Sequence, residues 1–385
     1  MGPALLLVLN AGSSSLKAAL FAMAPTGDGS PSPEAQELWR QQRPWTPPDD
    51  PTDASGLQQA IETTLGPWLA TELEPWMPHI QLVAHRVVHG GEQVAEAAVI
   101  DAGVRAGIAA ARELAPLHNT IALAVIDWLE SWLEGRRQTN RPRIVSWACF
   151  DTAFHRTLPP EQSTYALPQA WRDRGLRRYG FHGLNHRHVS ETVQAIYREE
   201  GSTDAQLAQL RLISGHLGAG CSLCAIAGGR SMATTMGYTP LEGLVMANRS
   251  GSVDPGLLLQ LLRQGQSAAE LDNALNHRSG LLGLSGLSGD MRVLRQAAAE
   301  EHPGALLAIA VFTARLLQGI GAMAASLGGV DVIALSGGIG QNDAVLAHTL
   351  HDALSWLGPF RLLQIPADEE RQIAQQCLAA ARQRP

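Results

Sequence analysis

Short apolar runs closed by glycine and serine alternate along this chain with stretches in which apolar residues recur at helical spacing. Residues 4 to 21 read as an apolar strand, a Gly/Ser turn and a second strand, the pattern of a hairpin. Leu57, Ile61, Leu65 and Leu69 fall on one helical face, and Val104 to Leu114 and Ile121 to Leu133 do the same. Between them, Gln81 to Val88 and Arg143 to Phe150 read as buried strands. Arg211 to Ala227 predicts a second strand-turn-strand unit, and its Ser222-Leu223-x-Ala225 overlays Ser15-Leu16-x-Ala18 of the first. Val330 to Asp343 reads as an apolar strand ending in glycines and opening into a helix from about Asp343. The alternation predicts α/β layers, and the paired hairpins fit a duplicated fold. Residues 24 to 56, rich in Pro, Asp, Ser and Gly, read as a surface excursion with little regular structure.

At 385 residues the chain suits two domains. Its 45% hydrophobic and 17% charged composition, with net charge -7, predicts a soluble globular protein without the positive charge that a nucleic-acid partner requires. The Leu5 to Leu9 run is too short for a membrane span, and no basic segment precedes it, which predicts a cytoplasmic protein with no membrane partner. Cys149, Cys221, Cys224 and Cys377 are too scattered for a disulfide framework. Cys221-Ser-Leu-Cys224 has no second pair to complete a zinc site, so these cysteines read as small residues packed on a buried strand.

Of 29 basic side chains only one is lysine, Lys17, and it follows the turn Gly12-Ser-Ser-Ser15. A mobile ammonium beside a Gly/Ser turn suits phosphate. The turn is not a Walker A loop, because the second glycine before the lysine is missing and strand-like residues follow. Gly338-Ile-Gly340 lacks the third glycine of a dinucleotide fingerprint, which disfavours a nicotinamide dehydrogenase. Polar residues gather in otherwise apolar stretches at His85-Arg-Val-Val-His-Gly-Gly91, Phe150-Asp-Thr-Ala-Phe-His155 and Tyr179-Gly-Phe-His-Gly183. A charge following a buried-strand pattern is costly unless paired or functional. Arg86 therefore reads equally as an interdomain ion pair or a ligand contact, whereas His85, His89 and His155 read as structural.

Seven colinear segments carry a more specific signal: Leu9-Asn-Ala-Gly-Ser-Ser-Ser-Leu-Lys17, His85 to Gly91, Phe150 to His155, Arg178-Tyr-Gly-Phe-His-Gly183, His216-Leu-Gly-Ala-Gly220, Met236-Gly-Tyr-Thr-Pro-Leu-Glu-Gly243 and Gly337-Gly-Ile-Gly340. In this order, over nearly the whole chain, they resemble the acetate kinase family. The resemblance implies an α/β, two-lobed actin-like (ribonuclease H-like) duplicated fold with a nucleotide cleft between the lobes, and a homodimer. Its lobes would be residues 1-154 plus 371-385, holding the acyl substrate and the first phosphate hairpin, and 155-370, holding most nucleotide contacts and the dimer contacts.

The implied reaction is reversible, Mg²⁺-dependent (Mn²⁺ as alternative) transfer of the ATP γ-phosphoryl group to acetate, giving acetyl phosphate and ADP by direct in-line displacement. A carboxylate is already ionised near neutral pH, so the obstacle is charge repulsion rather than a missing base. The resemblance places Arg86, Arg249 and His182 on the reacting groups, with Asp151 orienting the metal, its waters and the arginines. Asn10 and Glu369 match the metal positions, with Glu370 an alternative to Glu369. Ser13, Ser15 and Lys17 would hold phosphates, together with His216, Leu217, Gly218, Ala219 and Gly220. Asp290, Met291 and Arg292, with Gly338, Ile339, Gly340, Gln341 and Asn342, match the segments bordering adenosine. Val88, Leu117, Phe181 and Pro240, beside Arg86, match the acyl pocket. Ala219, Gln341 and Ser252 depart from the family's usual asparagine, glutamate and aspartate, which puts donor affinity in doubt. The retained glycines favour ATP over pyrophosphate. A propionate or butyrate kinase of the same family, or a catalytically weak nucleotide-binding sensor on the same fold, are the alternatives.

Overall fold

The apolar run that opens the chain is strand β1 (Ala4–Ala11), and it pairs antiparallel with β2 (Ser15–Pro25) so that Asn10 faces Lys17. This is the hairpin that the pattern predicts. The computed structural model describes residues 4–12, 15–25, 31–48, 53–91, 97–136 and 143–383, and Ser13 lies outside them. The chain falls into two units, Met1–Ala153 with Asp368–Pro385, and Phe154–Ala367.

In the first unit the expected excursion at residues 24 to 56 is corrected. Within it, Pro31–Pro44 is a fourteen-residue strand, β3, paired antiparallel with β2. Its prolines mask a strand because they stand at the ends of an edge strand, where a missing N–H costs no ladder bond. Helix α1 (Ala54–Leu73) begins where the Asp53 side chain accepts from Gly56 N, and it buries Leu57, Ile61, Leu65 and Leu69. Strand β4 (Ile80–Val87) runs parallel to β1. After the short β5 (Ala97–Val99), α2 (Ala102–Ala110) is capped by Asp101, and α3 (Pro116–Glu134) leads to β6 (Val145–Phe150), parallel to β4. The sheet order is β3-β2-β1-β4-β6-β5.

One face of this sheet, through Leu5, Leu7, Leu9, Ala18 and Leu20, packs on α1 and α3. The C-terminal helix Glu369–Arg382 packs on the sheet and buries Ile373, Ala374, Cys377 and Leu378. Burying Ile373 and Leu378 contributes roughly 1.5–3 kcal/mol each.

The second unit repeats the plan. Strands β7 (Arg211–Leu217), β8 (Cys221–Ala227) and β9 (Arg230–Thr234) form an antiparallel meander, and β10 (Val332–Ser336) and β11 (Arg361–Gln364) extend it in parallel. Read from the meander edge, the order β9-β8-β7-β10-β11 matches β3-β2-β1-β4-β6 strand for strand. Helix Pro303–Leu327 lies on β8, and a Cβ at Gly319 would come within 2.8 Å of Leu223. Among the described residues this is the one helix long and apolar enough to cross a membrane, and its Phe312, Leu316 and Ile320 are buried within this unit. After β10 the helix expected from about Asp343 is present, capped by the Asp343 side chain, and helix also occupies residues before it. The glycines are themselves helical over Gly337–Asn342, before the helix Ala344–Ala353 begins. Gly337, at φ 80°, makes the turn, and a side chain there would press on the Leu217 backbone at 2.7 Å.

Candidate active site

In the first unit the parallel strands β1, β4 and β6 deliver three polar side chains at their carboxyl ends, where ligands gather in open α/β sheets. Asn10 comes from β1, Arg86 from β4, and Asp151 directly follows β6. Asp151 N donates to Val87 O at 3.0 Å, which ties the end of β6 to that of β4. Arg86 Nη2 donates to Asp151 Oδ2 in a pair from which solvent is nearly excluded, the Asp151 side chain being 1% exposed. Burial opposes the guanidinium charge, but Asp151, then Glu369 and Glu370, outweigh it and hold the Arg86 pKa above its ordinary value. The ion pair is internal to the first unit, which settles the two readings of Arg86 on that point.

Asn10 is the hub. Its Nδ2 donates to Glu369 Oε2 at 2.9 Å and to Glu370 Oε1 at 2.7 Å, and its Oδ1 accepts from Arg86 Nη1 at 3.5 Å. Glu370 is 3% exposed and also accepts from Arg40 Nη1 at 3.1 Å, with Lys17 Nζ at 3.9 Å. Arg40 holds Asp368 and Glu37 as well. Glu370 is thus spent on neighbouring cations, while the half-buried Glu369 has Asn10 and the field of Arg86. The oxygen donors of Asn10, Glu369 and Asp151 are hard. Among the described residues no three His, Cys, Asp or Glu side chains form a metal cage. This set fits a largely hydrated Mg²⁺, which keeps most of its waters.

The second unit carries its own cluster. His182 occupies a left-handed conformation, φ 58° and ψ 24°, at the start of helix Gly183–Glu199. Its ring lies 4.3 Å from that of His216, centroid to centroid, and its Nδ1 is 3.0 Å from Ser222 Oγ. A Cβ on Gly220 would stand 3.0 Å from His182 Nε2 and 4.0 Å from Arg249 Nη1, so the three positions line one small space. Arg249 Nη1 is fixed by the Pro240 carbonyl at 3.0 Å. A Cβ at Gly218 would lie 3.7 Å from His216 Nε2 and 3.9 Å from Gly338 N, which brings the β7–β8 turn to the glycine helix.

Several expected contacts divide between side chain and backbone. Leu217 is fully buried, and Gly340 packs on Leu335 and Leu217, so both serve the core. Gly338 is exposed, and a Cβ there would meet nothing within 4 Å. Ala219 is exposed and gives its carbonyl to Ala247 N at 3.1 Å. Met291 is 4% exposed, whereas Asp290 caps the helix Met291–Ala299 and pairs with Arg292 at 2.6 Å. Ile339 and Gln341 are half-buried, and Asn342 Nδ2 donates to Gly338 O at 2.8 Å. Ser252 accepts from Gly243 N at 3.1 Å. Val88 is 5% and Phe181 1% exposed, Pro240 is half-buried, and the Leu117 side chain lies outside the described residues. Ser15 O accepts from Gly12 N at 2.9 Å and closes the first hairpin turn.

Sequence reasoning missed Arg40, Ser222 and His186. His186 was within reach, since it stands one helical turn after His182. Arg40 was hidden in the proline-punctuated stretch.

The five-strand order common to the two sheets defines a duplicated, actin-like α/β protein with a polar cluster in each unit. The Acetokinase family model matches residues 5–380, and the chain belongs to that family. It is 41% identical to an acetate kinase of Synechococcus over 97% of this chain and 98% of that protein. It is 42% identical to one from Gloeobacter violaceus over 91% and 88%. Among solved structures, a Francisella tularensis propionate kinase superposes with TM-score 0.79 at 30% identity, covering 97% of this chain and 98% of that one. Porphyromonas gingivalis acetate kinase gives 0.76 at 31%, covering 96% and 98%.

Proposed function

We propose that this protein is an acetate kinase, moving the γ-phosphoryl group of ATP reversibly to acetate to give acetyl phosphate and ADP. Family membership supports the reaction class. The observation that carries the residue assignment is Arg86: it is locked to Asp151 at the end of β4, and its buried Nε has no acceptor among the described residues. A cation fixed in place with a donor to spare suits an incoming carboxylate or phosphoryl oxygen.

Acetate arrives as an anion, so the protein's task is to neutralise and align two anions rather than to remove a proton. Arg86 takes the carboxylate and the transferring group, and Arg249 and His182 donate to the oxygens of that group. Asp151 fixes the guanidinium plane of Arg86. Asn10 and Glu369 are the side chains that would hold Mg²⁺, because Glu370 is already held by Arg40. Bound Mg²⁺ supplies positive charge to the phosphate oxygens. Lys17 and the turns at Ser13–Ser15 and His216–Gly220 hold the phosphates. The segments Gly338–Asn342 and Asp290–Arg292 border adenosine, while Val88, Leu117, Phe181 and Pro240 meet the acyl end.

Incubation with ATP, Mg²⁺ and acetate, with acyl phosphate trapped as hydroxamate, yields product on this reading. ATP binding without product would replace it with the sensor reading. One methylene in an apolar pocket is worth roughly 1–3 kcal/mol, so kcat/KM across acetate, propionate and butyrate fixes the acid.

The same reading includes a cytoplasmic homodimer. Helix Pro255–Arg263 buries none of its residues and exposes Leu257, Leu259 and Leu262, and Leu257 lines a groove of about 610 Å³ together with Val253, Leu284 and Val311. An apolar surface of this kind is the mark of an association face. Light scattering at micromolar concentration gives twice the chain mass, and Leu257→Glu halves it. A monomeric wild type overturns the dimer.

A further inference from the structure

We propose that Ser214, His186 and Ser222 form a one-way hydrogen-bond relay that fixes the tautomer of His182, leaving its Nε2–H as the donor to the transferring group. The proposal rests on the reading of His182 given above. Ser214, His186 and Ser222 lie outside the seven colinear segments that carry the family resemblance.

The relay is continuous. Ser214 Oγ lies 2.9 Å from His186 Nδ1, His186 Nε2 lies 2.8 Å from Ser222 Oγ, and Ser222 Oγ lies 3.0 Å from His182 Nδ1. Ser214, His186 and Ser222 are fully buried. Strands β7 and β8 supply the serines, and the helix Gly183–Glu199 supplies His186, whose backbone N–H returns to His182 O at 2.9 Å.

Its direction follows from counting protons. Burial, with His155 and His216 adding to it, carries the His186 pKa well below its ordinary value, so the ring is neutral and has one N–H and one lone pair. The Ser214 hydroxyl has His186 as its one hydrogen-bond partner among the described residues. If His186 donated to Ser214, the buried Ser214 hydrogen would have no acceptor, and an unmade buried bond is the costly case. Ser214 therefore donates to Nδ1, His186 Nε2–H donates to Ser222, and the Ser222 hydrogen goes to His182 Nδ1. A neutral His182 then carries its proton on Nε2, the atom that shares the Gly220 and Arg249 space.

The turn that bears His182 is braced independently. His155 Nε2 is 3.0 Å from Phe181 O, and a carbonyl only accepts, so that nitrogen bears the hydrogen. His155 Nδ1, 2.9 Å from Ser231 Oγ, is then the acceptor. Gly180, at φ 77°, has no room for a Cβ, which would lie 2.7 Å from the His155 ring. The left-handed conformation of His182, held by its neighbours at some strain, aims the ring along the relay.

The test is histidine ¹⁵N NMR on the full chain, with His182→Ala used to assign the signal. The wild-type ring is expected to be the Nε2–H tautomer, and an Nδ1–H tautomer overturns the relay without any variant. In Ser222→Ala the His182 signal becomes a mixture of tautomers, and kcat falls by about 10- to 100-fold, the scale for removing a group that orients a working histidine. KM for ATP stays within about twofold, and Ser222→Thr, which keeps the hydroxyl, restores the signal and the rate. An unchanged tautomer and rate in folded Ser222→Ala sinks the relay, as does an unchanged tautomer in Ser214→Ala. A His182→Ala enzyme with wild-type kcat would instead remove His182 from the reaction, so the two failures read differently.

Discussion

At the scale of single residues, the Arg86–Asp151 pair serves stability and chemistry together. Both side chains are removed from water, and deleting one partner leaves the other charge buried and uncompensated, which costs roughly 3–5 kcal/mol. Arg86→Leu is therefore expected to lower unfolding free energy by about 3 kcal/mol in urea titration and to cut turnover by roughly 10² or more. Adding Asp151→Asn restores most of the stability and none of the activity. Full recovery of both would show that the pair only props the fold. Arg86 and Asp151 were legible in the sequence because a charge inside an apolar run demands a reason. Arg40 was not, because its proline-punctuated stretch reads as a surface excursion and offers no buried-strand pattern in which a charge would stand out. Its significance lies in Glu370, which is distant in sequence and reached only through the packing of the C-terminal helix.

Among the elements, α1, α2 and α3 follow from helical periodicity, and the strands at Gln81–Val88, Arg143–Phe150 and Arg211–Ala227 follow from short apolar runs that the fold buries almost continuously. Strand β3 does not. An edge strand is stabilised by its ladder to β2 and by the partly buried Leu38 and Trp39, and pairing is a non-local fact that composition cannot show. The glycine run after β10 carries no helical signal of its own, because glycine is a poor helix former. In the fold its closeness to Leu217 and Leu335 compensates that cost. The C-terminal helix behaves as a core element of the first unit: Leu378→Ala is expected to cost about 2–5 kcal/mol, measured by chemical denaturation. A change below about 0.5 kcal/mol would show that the helix is peripheral.

For the molecule as a whole, several buried histidines set the acid limit. Burial pushes His155 and His89 down to about 4, and His85, with Arg105 adding to the effect, to about 3. In the unfolded chain they titrate near 6.5. Between about pH 6.5 and 4 the unfolded chain binds more protons, so stability is complete above that window and falls as pH drops through it. Thermal melts should show Tm falling steadily from pH 6.5 to 4.5, with a shallower slope in His155→Gln. Equal slopes would remove His155 from the linkage.

The return of Asp368–Pro385 to the first unit has a consequence for the order of synthesis. Glu369 and Glu370, which satisfy the Asn10 amide, leave the ribosome only after every residue of the second unit. A nascent chain can therefore complete its later half while its earlier half still lacks a helix and two carboxylates. The first-made sheet must wait with an uncovered face, and it is this unit, not the one translated after it, that holding chaperones would be expected to shield.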